Sequence, residues 1–493
     1  MHILKTVLKT SYEIFSVFIY WNMFIQGKKI RFIGIGGANM SALAVFSHEF
    51  GAIVSGSDAK SGEETEKLAA LGIPVTIGVD DKKVEDVDCV VYSSAIRNDN
   101  PELEKARELY IETLERHEYL AKIAACFSEV VAIGGTHGKT STTAMLTHIL
   151  AKSGKKFAAM IGGESVEFSN YVNNTSAKSI AELKNAIFVC EACEYKRNLL
   201  ALPVTSALVT NAECDHPDCY KSQKDVTDTF SEFLEKARCK IVSEKYEFLL
   251  QENEKRANES HNEKCGNFCV EIFSDDKIER LYADIKNDKA EVVFGGNLVG
   301  VIRLKDGGDY NYENSIFALA AAKGLGIDLK FAINALASFK GVKRRFEFVG
   351  KIDGASVIFD FAHHPSEIKQ ALKRASEQGD VLCVFQPHTY SRTKAYLDDF
   401  VEVLGDERNG VKTLALMPTY AAREDAGMGL DSNDLAIAIF DEFCNRDVYL
   451  LKNALSTVDF VKKHAKGHSV VLMLGAGDIY DIKDLLPLEN VTE

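Results

Sequence analysis

VVAIGGTHGKTSTTAMLTHILAKSG, residues 130–154, decides how this chain is read. An apolar strand beginning at Val130 runs into a turn, Gly134-Gly135-Thr136-His137-Gly138-Lys139-Thr140, and then into a helix that should stop near Gly154. Glycines let backbone N–H groups close around an anion, and a helix that starts there adds its own free N–H groups and dipole. The pattern therefore places Gly135, Thr136, His137 and Gly138 around phosphate oxygens, with Lys139 on the β/γ-phosphates. The Thr140 hydroxyl then points toward Mg²⁺, with Ser141 beside it in the first helical turn. The loop is one residue shorter than the GxxxxGK[ST] spacing, because Ile133 stands five before Gly138.

Downstream, NAIFVCEACEY (185–195) reads as a buried strand ending in Glu191 and Glu194. SALVTNAECDHPDCY (206–220) is another, ending in Asn211, Asp215 and His216. Carboxylates at strand ends beside a phosphate loop are natural Mg²⁺ ligands, and a neutral imidazole can join them. Upstream, IRFIGIGG, ANMSALAVFSHEFG and AIVSGSD (30–58) form a βαβ opening in which Gly34, Gly36 and Gly37 let the backbone approach a phosphate. Asp58 ends the second strand, where a ribose-reading acid belongs. DCVVYSSAI (88–96) brings Ser93 and Ser94 to the carboxyl edge of the same sheet. Met40 and Ser41 stand near where GxGxxG has its third glycine, so dinucleotide and nucleotide-sugar readings both stay open here.

Residues 251–290 are polar and read as a surface region with a short sheet or an excursion of the middle domain. KDGGDYNYEN (305–314) turns into an apolar helix, and GVKRRFEFVG (341–350) is a junction, with Arg344 beside Arg345 open to reading as a solvated charge pair. Beyond it, ASVIFDFAHHPSEI, VLCVFQPHTYSRT, LALMPTYAAREDAG and VVLMLGAGDIY each place polar residues after a strand. At roughly 100–200 residues per domain, 493 residues suit an α/β protein of three domains. These are a Rossmann-like domain at 28–128, a central P-loop domain with a mostly parallel sheet at 129–342, and a Rossmann-like domain at 343–493.

The net charge of −14 argues against nucleic acid, whose phosphates need a basic footprint. Eleven cysteines are too sparse for a disulfide framework, and their odd number points to free thiols in a reducing cytoplasm. A zinc site using the Cys190/Cys193, Cys214/Cys219 or Cys265/Cys269 spacing is the alternative. Residues 1–27 form an extension in which Lys5 and Lys9 precede an apolar run, Ile14–Ile25. That run is too short to span about 30 Å of hydrocarbon and no small-x-small cleavage site follows. No stable membrane insertion is expected, and Met23 reads as the first residue of the folded part.

Taken in order, FIGIGGANMSALA, SGSD, SSAI, GGTHGKTSTTAM, EACEY, TNAECDHPDCY, RRFE, DFAHHPSEI, QPHTYSRT and GAGDIY resemble the Mur ligases of peptidoglycan synthesis over residues 28–485. GTHGKT together with AHHP and YSRT resembles the branch that adds L-alanine to UDP-N-acetylmuramate. The resemblance implies a cytoplasmic, ATP- and Mg²⁺-dependent ligase that works through an acyl phosphate. Gly34, Gly36, Gly37, Asp58, Ser93 and Ser94 would then serve the UDP-sugar. Lys139, Glu191, His216 and Arg345 would be catalytic, with Thr140, Glu191 and His216 holding the metal. Asn311 and Asn314 would sit on the adenine side, Arg345 and Asp360 near the nucleotide, and His363 and Arg392 would orient L-alanine. Tyr310, Phe359, Phe361 and Thr389 depart from the family pattern of His, Asp, Tyr and Arg.

Overall fold

Lys29–Ile33 (β1), Ile53–Asp58 (β2), Val75–Ile77 (β3), Cys89–Tyr92 (β4) and Glu112–Glu115 (β5) pair in parallel in the order β3-β2-β1-β4-β5. The computed structural model describes residues 24–215, 219–250, 266–274, 277–305, 307–422, 424–425, 427–443 and 446–489, so most of the expected extension and His216 lie outside the described residues. Helix α1, Ala38–Glu49, follows β1 directly. The strand order reverses between β1 and β4, and loops leaving such a switch point diverge to open a crevice. Gly34–Gly37 and Ser93-Ser94 are those loops. A charge inside β1 is tolerated because it is neutralised locally. Arg31 and Glu102, each 1% exposed, pair with Arg31 Nε 2.9 Å from the carboxylate, and Ser57 donates to the same group.

The second sheet contains Glu129–Gly134 (β6), Phe157–Met160 (β7), Tyr171–Asn173 (β8), Ile187–Glu191 (β9), Ser206–Val209 (β10), Cys239–Ser243 (β11), Phe268–Ser274 (β12), Lys277–Lys286 (β13), Lys289–Phe294 (β14) and Asn297–Ile302 (β15). Its order is β15-β14-β13-β12-β11-β10-β6-β9-β7-β8. Only the run β11-β10-β6-β9-β7 is parallel, while β8 and β12 through β15 pair antiparallel. The sheet is thus mixed rather than mostly parallel. Two-residue turns set two of these antiparallel pairings. Asn287-Asp288 (φ 50 and 54) joins β13 to β14, and Gly295-Gly296 (φ 56 and 75) joins β14 to β15. Turns with two positive-φ residues match strand twist and return the chain as a hairpin, where a parallel pairing would need a crossover. Helices Lys139–Ser153 (α2) and Asp309–Gly324 (α3) pack together on this sheet.

The third sheet has Glu347–Ile352 (β16), Ala355–Asp360 (β17), Val381–Phe385 (β18), Val411–Leu416 (β19), Val448–Leu450 (β20) and Val470–Leu474 (β21), in the order β16-β17-β21-β18-β19-β20. Only the β16 pairing is antiparallel. Alternate residues divide between two cores. Ile358, Phe385 and Leu472 join Ile368 and Leu372 of helix α4 (Pro365–Ser376), while Val357, Phe359 and Met473 join Val461. Helix α5, Tyr390–Ala395, follows β18.

By contacts the chain divides into two units. One holds the described residues up to Glu213 with Ser222–Lys340 and carries the first two sheets; the other holds Cys214–Lys221 with Gly341 onward. No helix among the described residues is long and apolar enough to cross a membrane. Cys89, Cys126, Cys190, Cys193, Cys239 and Cys383 are free thiols.

Candidate functional site

The phosphate loop links β6 to α2, and its shape depends on two glycines in the left-handed region. Gly135 has φ +127 and Gly138 φ +84; a Cβ on Gly135 would meet the Thr210 side chain, and one on Gly138 the Asn314 amide. The segment after β10 braces the loop. His137 N–H donates to Asn211 Oδ1 at 2.9 Å, Asn211 Nδ2 returns a bond to the His137 carbonyl at 3.1 Å, and Thr136 Oγ1 donates to the Glu213 carbonyl at 2.8 Å. His137 Nε2 lies 3.5 Å from Glu213 Oε2. Asn314, buried on α3, accepts from Thr142 Oγ1 at 3.3 Å, so the expected adenine-side residue lies against the loop. Asn311, one turn earlier, bonds to the Gly307 carbonyl at 3.3 Å.

Lys139 folds back over its own loop. Its Nζ donates to the Gly135 and Thr136 carbonyls and lies 3.0 Å from Glu194 Oε2. Burial works to lower the Lys139 pKa, but Glu194, Cys193 and Glu191 together outweigh burial and hold the ammonium above its ordinary range. Glu194 is therefore a counter-ion for Lys139. Glu191 is placed differently: it ends β9, next to Ile133 of β6, and accepts the Gly162 N–H at 2.6 Å. A Cβ on Gly163 would lie 3.5 Å from Thr140 Cγ2, so the Gly162-Gly163 pair neighbours two of the three expected metal ligands. The third, His216, lies outside the described residues.

At the first sheet, Gly36 N–H donates to Asp58 Oδ2 at 2.8 Å, and a Cβ on Gly34 would lie 3.2 Å from Ser93 Cβ. The glycine turn, Asp58 and Ser93 are thus in one place, with Ser94 next in the chain. Gly37 caps α1 without a side chain in the way.

In the second unit, Asp360 ends β17 and accepts the Phe346 and Ala362 N–H groups, each at 2.7 Å; burial pushes its carboxyl up against the pull of Arg345. Glu367 on α4 joins two more expected residues, Arg345 and His363. Its carboxylate lies 3.9 Å from Arg345 NH1, 3.3 Å from His363 Nδ1, and accepts the His363 N–H at 3.1 Å. Arg344 is no solvated charge, because its guanidinium stacks at 4.8 Å from the Phe361 ring and 4.9 Å from the Tyr480 ring. Phe361, where the family pattern has Tyr, keeps that aromatic face. Arg392 is engaged on both sides: NH2 lies 3.0 Å from Asp215 Oδ1, and NH1 lies 3.1 Å from His388 Nδ1. A ligand carboxylate would have to share this guanidinium with Asp215.

Family models match end to end along the chain: the Mur ligase family catalytic domain over residues 29–128, the Mur ligase middle domain over 133–322, and the Mur ligase glutamate ligase domain over 344–477. The chain belongs to the Mur ligase family. This Mur ligase is 34% identical over 468 residues to the UDP-N-acetylmuramate–L-alanine ligase of Clostridium novyi, covering 93% of this chain and 97% of that one. It is 35% identical to the enzyme of the same name from Clostridium acetobutylicum, with the same coverage. In fold it is similar to the crystal structure of UDP-N-acetylmuramate-alanine ligase MurC from Thermotoga maritima (TM-score 0.73, 24% identity, 93% of this chain and 98% of that one). It is also similar to a murein peptide ligase from Psychrobacter arcticus (TM-score 0.67, 22% identity, 95% of this chain and 100% of that one).

Sequence reasoning missed Gly162-Gly163, Glu367 and the Asp215 partner of Arg392 in this Mur ligase. The first had a signal, since a Gly pair follows the apolar run FAAMI; so did the second, since Glu three residues after His364 completes a capping box.

His363 yields a pH prediction. Burial, aided by Arg392 against Glu367, pushes its imidazole down to about 4 from an ordinary 6.5. The unfolded chain therefore takes up the proton first. The stability held by neutral His363 is complete above pH 6.5 and falls as the pH drops toward 4. Between pH 6.5 and 5 the loss is about 2 kcal/mol. Urea unfolding at pH 7 and pH 5 should show His363→Gln losing about that much less than the parent; equal losses would refute it.

Proposed function

We propose that this Mur ligase joins L-alanine to the lactyl carboxylate of UDP-N-acetylmuramate at the expense of ATP, in peptidoglycan precursor synthesis. The observation that carries this is the full-length match to ligases of that name, together with a phosphate loop whose cradle two added Cβ atoms would fill. A carboxylate is a poor acylating agent because oxide would have to leave. Transfer of the γ-phosphoryl group to a carboxylate oxygen, with cleavage of the bond to the β-phosphate, gives ADP and an acyl phosphate. The neutral amine of alanine then adds to the acyl carbon, and the tetrahedral intermediate collapses, expelling phosphate and losing the amine proton.

In this reading the N–H groups from Gly135 to Ser141 bind the ATP phosphates, and Asn311 and Asn314 flank the base. Lys139 leaves Glu194 to neutralise charge growing on the transferring group. Thr140, Glu191 and His216 would hold Mg²⁺, whose chemistry there is to offset the repulsion between two anions. The first sheet's Gly34, Gly36, Gly37, Asp58, Ser93 and Ser94 bind the UDP-sugar. Arg345 and Asp360 serve the nucleotide, and His363 and Arg392 orient the amino acid.

One assay tests this: phosphate release from ATP and Mg²⁺, omitting UDP-N-acetylmuramate or L-alanine in turn. Release should need both. Release with neither, or with a tripeptide but not with L-alanine, would overturn the assignment.

A further inference from the structure

The segment between β7 and β8 touches two expected ligand sites of the first unit. At its start, Gly162 N–H is bonded to Glu191 and Gly163 lies against Thr140. Ile161 N–H donates to the Asn170 carbonyl at 2.8 Å, closing the segment into a loop. At its end Asn170, 5% exposed, turns its amide into the first turn of α1. Nδ2 lies 2.7 Å from the Ala38 carbonyl, 2.6 Å from Ser41 Oγ and 2.8 Å from Glu64 Oε2. Ser41 Oγ itself lies 2.7 Å from Glu64 Oε2. Lys67 adds a second tie, with Nζ 3.1 Å from Glu64 and in contact with Glu164 of the same loop. The three acceptors around Nδ2 assign the amide orientation, since its oxygen there would face a carbonyl and a carboxylate.

We propose that Asn170 is a positioning residue for the sugar nucleotide: it fixes the start of α1, next to the Gly34–Gly37 turn, from the loop whose other end sets Glu191. The proposal rests on the UDP-sugar reading of that turn. A helix N-terminus holds an anion only as well as its first N–H groups are aimed. Small misplacements of positioning groups are costly, up to about 10²-fold for 1 Å.

Asn170→Asp replaces the donor with an oxygen facing the Glu64 carboxylate. Its KM for UDP-N-acetylmuramate should rise about tenfold, while KM for ATP stays within about twofold. Asn170→Ala, which deletes the bonds without adding a charge, should be affected less. Adding Glu64→Gln to Asn170→Asp should recover most of the loss, because the new amide can donate to the new carboxylate. A merely structural role would raise both KM values together and show no such rescue, and either result overturns the proposal. If the parent enzyme fails to bind UDP-N-acetylmuramate in calorimetry, the ligase reading falls and takes the proposal with it. If the parent binds and Asn170→Asp binds equally well, the proposal alone falls.

Discussion

Lys139→Ala should lower kcat by about 10³-fold or more, with UDP-N-acetylmuramate binding kept within about threefold. The ammonium is the charge that the loop can offer to a phosphoryl group in transit. In the structure it is parked on Glu194 and two loop carbonyls, so it is already inside the loop and needs only to exchange partners. Removing it also takes its cationic partner from Glu194, whose side chain is 6% exposed, and the loss of a buried ion pair destabilises the fold. The double variant Lys139→Ala/Glu194→Gln separates the two effects. It should melt close to the parent and remain inactive, as measured by calorimetry and phosphate release. Recovery of turnover in the double variant would mean that Lys139 matters only as the partner of Glu194. Loss of sugar-nucleotide binding together with turnover would mean that the assignment of the two sheets to two ligands is mistaken.

Gly162→Ala should act through the metal instead. The backbone of Gly162 would tolerate alanine, but the new methyl group would stand 2.6 Å from Glu191 Oε2 and 2.7 Å from Oε1, well inside contact distance. Glu191 must swing away and lose the 2.6 Å bond that aims it. The Mg²⁺ concentration for half-maximal rate should rise about tenfold and kcat should fall about 10²-fold, since supporting groups around metal ligands are worth 10–100-fold. Shortening the carboxylate in Gly162→Ala/Glu191→Asp makes room and should restore part of the rate. An unchanged Mg²⁺ titration in Gly162→Ala would remove Glu191 from the metal.

The phosphate loop was legible because its signal is local: an apolar strand, a glycine turn and a helix start within twenty-five residues. The first sheet's turn and the polar residues after the last strands were legible for the same reason, since parallel sheets gather chemistry at their carboxyl edges. The hairpins β12–β15 were legible only in part. Leu281, Ala283 and Ile285 alternate inward along β13, but the turn pair Asn287-Asp288 was submerged in the polar stretch 251–290, and Gly295-Gly296 stands between two apolar runs, AEVVF and NLVGVI, without a loop of its own to mark it. Partners far apart in sequence left no pattern. Asp215 meets Arg392 across 177 positions, Glu194 meets Lys139 across 55, and Asn170 meets Ser41 across 129, and packing alone decides such pairs. An acid after a strand looks the same whether it will bind a metal, as proposed for Glu191, or hold a lysine, as Glu194 does.

The path of the chain between its two units has a consequence for modularity. It passes from the first to the second between Glu213 and Cys214, returns between Lys221 and Ser222, and leaves again between Lys340 and Gly341. The units are therefore interleaved in sequence, and neither can be exchanged between relatives as a contiguous cassette. A recombinant swap made at the 341 junction would transplant Arg392 without the Asp215 that neutralises it, so the two positions must be inherited together even though strands β11–β15 of the central sheet lie between them in sequence.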